Sequence, residues 1–255
     1  MLSKSKIKYI RSLESKKKRN EYGVFVAEGN KLVADMLPFY SCELLIAKTS
    51  WMATQGDIPA EELLIADEND IPKASFLKHP QDVLAVFKLP EWSIEDAQPA
   101  EELVLFLDGI QDPGNLGTII RLADWFGIRH IICSYDCADV FNPKVVQATM
   151  GALAHVQVHY TNPEEYLEQQ IANLTPIYGT FLDGDDLYND ELTNHGILIM
   201  GSEGKGIRSS VEEFVNKRLY IPSYPANQAT SESLNVAVAT AIVCAEFRRR
   251  SIQAG

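Results

Sequence analysis

Apolar positions along the chain recur with two periods that take turns. Before residue 90, short runs (GVFVAEG, KLVADML, CELLIA, ELLIAD, DVLAVFKL) switch between strand-like and helix-like spacing, which predicts a small α/β domain. From Leu103 the alternation sharpens. LVLFLDGI, RHIICS, HVQVHY, TPIYGTF, GILIMG and RLYIP read as strands. Between them, TIIRLADWFG, NPKVVQATMGAL, EEYLEQQIAN and VEEFVNK read as helices, and SLNVAVATAIVCAEFRRR as a final one. Strands that alternate with helices predict a mostly parallel sheet covered on both faces. The stretch Leu89–Glu102 is acidic, holds two prolines and has no period, as linkers do. The expected organisation is therefore a first domain over residues 1–95, a linker over 96–101 and a second domain over 102–255. QDPGNLG is expected to be a loop, with Ile119, Leu122, Ala123 and Phe126 sharing one face of the helix that follows. Leu234 to Ala245 is apolar on nearly every side, so this helix is expected to be buried all round, most simply against a second copy of the chain.

Charge complicates this picture. The 255 residues carry a net charge of −12, which by itself speaks against nucleic acid. Yet residues 1–20 hold eight Lys or Arg and one Glu, so this end is +7 and the remainder −19. An acidic body with a basic arm can still touch phosphate locally, and Arg248–Arg250 forms a second basic cluster. A solvated tail for the first cluster and a helix C-terminus that favours cations for the second are the plainer readings. Cys42, Cys133, Cys137 and Cys244 show no zinc-ligand spacing and suit reduced thiols in a cytoplasmic protein. No apolar run is long enough to span a membrane, no secretory signal is expected, and the five histidines show no metal spacing, so no metal is expected.

Three segments rich in glycine and amide side chains each follow a predicted strand: Asp108–Arg121, Gly201–Gly206 and Pro222–Asn235. Ligands of open α/β sheets bind beyond the carboxyl ends of the strands, so all three can line one cleft. None matches a dinucleotide fingerprint or a phosphate loop, and no zinc-protease or serine-hydrolase motif is present.

Taken together, the segments resemble one family. Asn115-Leu116-Gly117-Thr118-Ile119-Ile120-Arg121, Ile199–Gly206 and Ile221-Pro222 with Glu232–Ala239 are similar, in order and spacing, to the three motifs of the SpoU (TrmH-like) RNA 2′-O-ribose methyltransferases. Phe25–Val33 resembles the RNA substrate-binding domain often fused to them. The resemblance implies a carboxyl-terminal trefoil knot, S-adenosylmethionine as cofactor and an active site at a homodimer interface. It also implies RNA as partner, with 23S ribosomal RNA favoured and transfer RNA open. By the same resemblance Arg121, Asn115, Glu203, Ser233 and Asn235 are the catalytic set. Met200, Gly201, Gly204, Ile221, Ser233 and Leu234 would hold the cofactor. Asn115 would hold the loop or the ribose, or cap a helix. Glu203 would orient Arg121 or Asn115, or accept N–H groups at a helix start. Ser233 and Asn235 would bind phosphate or the cofactor's methionine end while capping the last helix. Arg121 as a general base would have to lose a proton held with a pKa of at least about 12.5, a cost of roughly 7 kcal/mol near neutrality, so stabilising the alkoxide or binding the adjacent phosphate asks less of it. Two positions depart from the pattern: Gln147, where many relatives carry a basic residue, and the long segment Ser223–Thr230. A catalytically silent RNA-binding protein of the same fold, a nucleotide-binding dehydrogenase and a base methyltransferase with a related knot are the rival readings.

Overall fold

The structure, a computed structural model, describes residues 2–225 and 233–253, with side chains to residue 251. Glu232 and most of the Ser223–Thr230 segment lie outside the described residues. The chain forms two compact units, residues 1–91 with 139–154 and residues 92–138 with 155–255.

In the first unit, strands β1 (Val24–Glu28), β2 (Cys42–Ala47), β3 (Ala60–Ile65) and β4 (Val83–Lys88) form a sheet in the order β1-β4-β2-β3. β4 runs antiparallel to both neighbours, and β2 and β3 are parallel. Around it lie α1 (Lys4–Ser12), α2 (Lys16–Tyr22), α3 (Asn30–Met36), α4 (Thr49–Met52) and α5 (Asp70–Ala74). Ile10 and Leu13 pack with Val24, Val26, Leu44, Ile46, Leu84 and Val86 in one core. The basic end is thus two helices rather than an arm, and part of its charge is committed. Arg19 is 1% exposed, donates to the carbonyls of Leu13 and Glu14 at 2.7 and 2.8 Å, and pairs with Asp139. Lys6 pairs with Glu62, and Arg11 reaches the Ser75 carbonyl and lies over the Phe76 ring. Helix α7 (Pro143–Thr149) also belongs to this unit, where it packs on β1. Gln147 therefore lies in the first unit, although the linker composition had assigned its region to the second.

The second unit is built on a six-stranded parallel sheet of order β10-β8-β9-β5-β6-β7. Its strands are β5 (Leu103–Asp108), β6 (His130–Ser134), β7 (Gln157–Thr161), β8 (Ile177–Asp186), β9 (Gly196–Gly201) and β10 (Lys217–Tyr220). Its helices are α6 (Pro113–Trp125), α8 (Pro163–Ala172), α9 (Ser209–Glu212) and α10 (Val236–Gln253). β5, β6 and the first five residues of β9 are buried throughout, as a sheet covered on both faces requires. The chain steps outward from β5 to β6 and β7, then returns on the far side to place β9 beside β5. Clefts of such sheets form where the strand order reverses, at the carboxyl ends of β5 and β9.

One expectation for this unit changes, and a second is met only in part within the single chain. QDPGNLG is not a loop: Pro113 opens α6, and Asp112, not Asn115, caps it by accepting the Asn115 N–H at 2.8 Å. Helix α10 is not buried all round. Val238 is 50% exposed, Leu234 just before it 46%, and Ala245 is also exposed, so an apolar stripe faces outward in the single chain. Among the described residues no helix is long and apolar enough to cross a membrane.

Candidate active site

Asn235 sits at the junction of the site's parts. Its Oδ1 accepts the N–H groups of Ala237 and Val238 at 3.1 and 3.3 Å, which caps α10. Its Nδ2 donates to Asn115 Oδ1 at 3.0 Å and to the Glu203 carboxylate. Glu203 also accepts the Val236 N–H at 3.4 Å, so the carboxylate rests on the positive end of α10. Of the roles open to Glu203 in the sequence, the helix start is the one observed. One amide thus ties together the first turn of α6, the loop after β9 and the start of α10, uniting three residues drawn from all three motifs.

Two cavities flank this bridge and share the wall Ser202–Gly206. One, of about 510 Å³, is lined by Met200, Gly201, Gly204, Ile221, Ser233 and Leu234, the six positions expected to hold the cofactor, together with Phe181, Leu219 and Tyr220. Its size lies within the range of small-molecule sites, and its mixture of apolar side chains and loop backbone suits an adenosine with a polar tail. Two glycines shape it. A Cβ on Gly201 would lie 2.2 Å from the backbone of Gly206 and Ile207, so only glycine lets the returning loop close on β9. A Cβ on Gly204 would meet nothing within 4 Å, so the loop crest faces open space. S-adenosylmethionine therefore fits the residues present.

The second cavity is lined by Gly109, Gln111, Asp112, Asn115, Lys205 and the Arg208 cluster. Arg208 was not singled out in the sequence, yet it holds this corner together. Its Nε lies 2.6 Å from Asp108 Oδ1, its backbone N–H donates to Asp108 Oδ2 at 2.8 Å, and its Nη2 reaches Asp136 at 2.8 and 2.9 Å. Ser134 Oγ donates to Asp136 at 2.6 Å and accepts the Gly109 N–H at 2.9 Å. Burial works to raise the Asp136 carboxyl, but the hydrogen bonds from Ser134 and Arg208 outweigh it and hold the group below the usual carboxylate range. Arg208 thereby pins the end of the loop bearing Glu203 to the carboxyl ends of β5 and β6. Only half of this contact shows in the sequence, as the Asp-Gly that ends β5, and nothing there points to Arg208 as its partner.

Arg121 stands apart. It is exposed on α6 and has no polar partner among the described residues, and Asp124, one turn on, bonds His155 instead. Six residues of helix separate it from Asn115, about 9 Å along the axis and roughly 120° around it. The single chain thus assembles Asn115, Glu203 and Asn235, sets Ser233 in the cofactor cavity wall, and leaves Arg121 outside. The cluster Arg248–Arg250 is structural: Arg248 donates to the carbonyls of Phe126 and Gly127 at the end of α6, and Arg249 and Arg250 both bond Glu246.

Comparison with known proteins places this geometry. Residues 102–245 match the SpoU rRNA Methylase family, and residues 4–85 match the MRM3-like substrate binding domain. The chain belongs to the SpoU rRNA Methylase family. This SpoU methylase is 31% identical over 246 residues to the 23S rRNA (guanosine(2553)-2′-O)-methyltransferase RlmP of Bacillus subtilis, covering 95% of the chain and 96% of that relative. Among solved structures, it superposes on a protein from Porphyromonas gingivalis described as an RNA methyltransferase of the TrmH family. There the TM-score is 0.89 at 46% identity, with 98% of this chain and 99% of the other covered. An AdoMet-bound rRNA methyltransferase from Sinorhizobium meliloti gives a TM-score of 0.84 at 30% identity, covering 98% and 96% of the two chains. The SpoU parallel sheet and an RNA methyltransferase activity follow from membership. A silent binding protein and a dehydrogenase lose their support.

Proposed function

We propose that the protein transfers a methyl group from S-adenosylmethionine to a ribose 2′-hydroxyl of 23S ribosomal RNA in the cytoplasm. The observation that carries this reading is the Asn235 bridge, which fixes Asn115 and Glu203 on the wall between a cofactor-sized cavity and a second, polar one. The cofactor supplies an electrophilic methyl on a sulfonium. Met200, Gly201, Gly204, Ile221, Ser233 and Leu234 would hold it. Asn115 fixes the ribose through its free amide N–H groups while Asn235, its own amide fully committed, holds Asn115 in place, and holding the hydroxyl in line contributes several kcal/mol. Glu203, fixed at the α10 start, keeps both amides oriented. Arg121 stabilises the developing alkoxide or binds the neighbouring phosphate as a charged donor.

Because Arg121 lies outside the bridge, it acts in a homodimer. Trp125, one turn from Arg121, is 84% exposed, and the Leu234–Val238–Ala245 stripe is also bare. Exposed apolar surface of this kind marks an interface, and a second copy that covers it would bring Arg121 to a site. The knot implied by the three motifs would close the loops after β9 and β10 around the cofactor. The first unit, expected over residues 1–95 and joined by 139–154, docks the RNA, and the rest of 102–255, after the linker at 96–101, holds the cofactor.

Calorimetry tests the cofactor part directly. S-adenosylmethionine and its demethylated product should bind the protein without RNA, and Arg121→Ala should keep that affinity while lowering turnover by about 10²-fold. Failure of both ligands to bind at millimolar concentration would overturn the reading.

A further inference from the structure

Helices α1 and α2 meet the sheet of the first unit around a small open cavity of about 420 Å³, lined by Ser5, Lys6, Tyr9, Tyr22 and Glu43. Its aromatic wall is arranged rather than incidental. The Tyr9 and Tyr22 rings meet edge to face at 5.2 Å and 72°, which fixes the orientation of Tyr22. Tyr22 nevertheless stays 45% exposed, and Lys18 Nζ lies 5.4 Å from its ring centre. Tyr9 donates its hydroxyl to Glu43 Oε1 at 2.7 Å, which leaves the second carboxylate oxygen to accept from a ligand.

The lining itself is balanced, since Lys6 pairs with Glu62 and the neighbouring Lys18 with Glu21, and the free positive charge lies on the exposed helix faces beside it. Lys4, Lys8 and Lys17 are exposed and have no hydrogen-bond or ion-pair partner among the described residues. Lys8 follows Ser5 by three positions, so Lys4 and Lys8 form the ridge beside the one that lines the cavity. Residues 21–255 carry −19, so this end is the most cationic stretch that an RNA strand meets.

We infer that this cavity is a stacking platform for one unpaired RNA base, seated on Tyr22 with Glu43 accepting from a base N–H and the flanking phosphates on Lys4 and Lys8. Aromatic faces of this kind hold bases with little sequence preference, while phosphate contacts supply salt-sensitive affinity. The inference rests on the reading that the first unit docks RNA, and it specifies where and what form of RNA.

The test uses the full chain and a six-nucleotide oligouridylate, with a blunt RNA duplex as competitor. In Tyr22→Trp, the oligonucleotide should quench the new indole emission, and binding should weaken as salt rises. Tyr22→Ala should lose roughly five- to hundredfold in affinity for the single strand, the range for removing one base–aromatic stack. Lys4→Glu with Lys8→Glu should weaken it as well. If the lysine variant weakens binding while Tyr22→Ala matches the parent, or if the duplex competes equally, the platform is overturned and RNA docking by the first unit stands. If neither variant changes RNA binding, docking by this unit falls, and the platform with it.

Discussion

Asn235 offers the sharpest separation of a structural role from a catalytic one. Replacing it by Ala removes the α10 cap, worth about 1 kcal/mol, and the donor to an exposed carboxylate, worth about 0.5 kcal/mol of stability. At about 2–4 °C per kcal/mol for a chain of this size, Asn235→Ala should melt about 3–6 °C below the parent. Asn235→Ser keeps a capping oxygen and should recover most of that loss, because serine caps about as well as asparagine. It has no amide to reach Asn115 and Glu203, so the bridge stays broken. Losing the alignment of Asn115 that the bridge maintains, worth about 1.5–3 kcal/mol in the transition state, corresponds to roughly a 10- to 100-fold loss of turnover. Melting curves and single-turnover methyl transfer on the same preparations decide the point. Asn235→Ser that is both stable and fully active would refute the claim that the bridge organises the site.

Three further outcomes follow from other parts of the molecule. Arg208→Ala should weaken cofactor binding and lower turnover together, measured by calorimetry and kinetics, and Arg208→Lys should restore only part of both because lysine cannot reach Asp108 and Asp136 with a planar fork. His159, packed against His130 at 3.2 Å, has its pKa pushed down to about 4, first by burial and then by His130, with Asp96 acting the other way. It folds neutral, so the unfolded chain takes up the proton first, and up to about 3 kcal/mol of stability should be lost between about pH 6.5 and 4; denaturant titrations of His159→Gln should show a flatter profile. Val238→Asp should yield a monomer by light scattering with cofactor affinity near normal, and a dimer of that variant would remove the α10 stripe from the interface.

Much of the fold was legible because β5, β6 and β9 are buried on both faces, which leaves an unbroken apolar run for each. What escaped reading has physical reasons. β8 continues past Phe181 through Leu-Asp-Gly-Asp-Asp, where Asp185 and Asp186 pair with Leu219 and Tyr220 of β10; a half-exposed polar strand carries no apolar signal. Helix α6 begins inside Pro-Gly-Asn-Leu-Gly because Asp112 caps it and Pro113 fits the first turn, which outweighs two glycines. Helix α7 joins the first unit because Val145 and Val146 bury against it, a long-range choice that no local pattern encodes. For that reason a fragment starting near Glu101 would leave α7 without β1, and RNA docking is better tested in the full chain. The resemblance of the three motifs named the glycine and amide positions that the structure brings to one wall. Arg208 was not among them, because its role depends on Asp108 and Asp136, which lie 100 and 72 residues away.

The most direct test of the central claim is nucleoside mass spectrometry of 23S ribosomal RNA taken from cells that lack the gene, before and after incubation with the purified protein and S-adenosylmethionine. The account predicts one 2′-O-methylated nucleoside that is absent beforehand, appears with the parent protein and stays absent with Arg121→Ala. A methyl group on a base, or 23S ribosomal RNA left unmodified while transfer RNA is methylated, would contradict it.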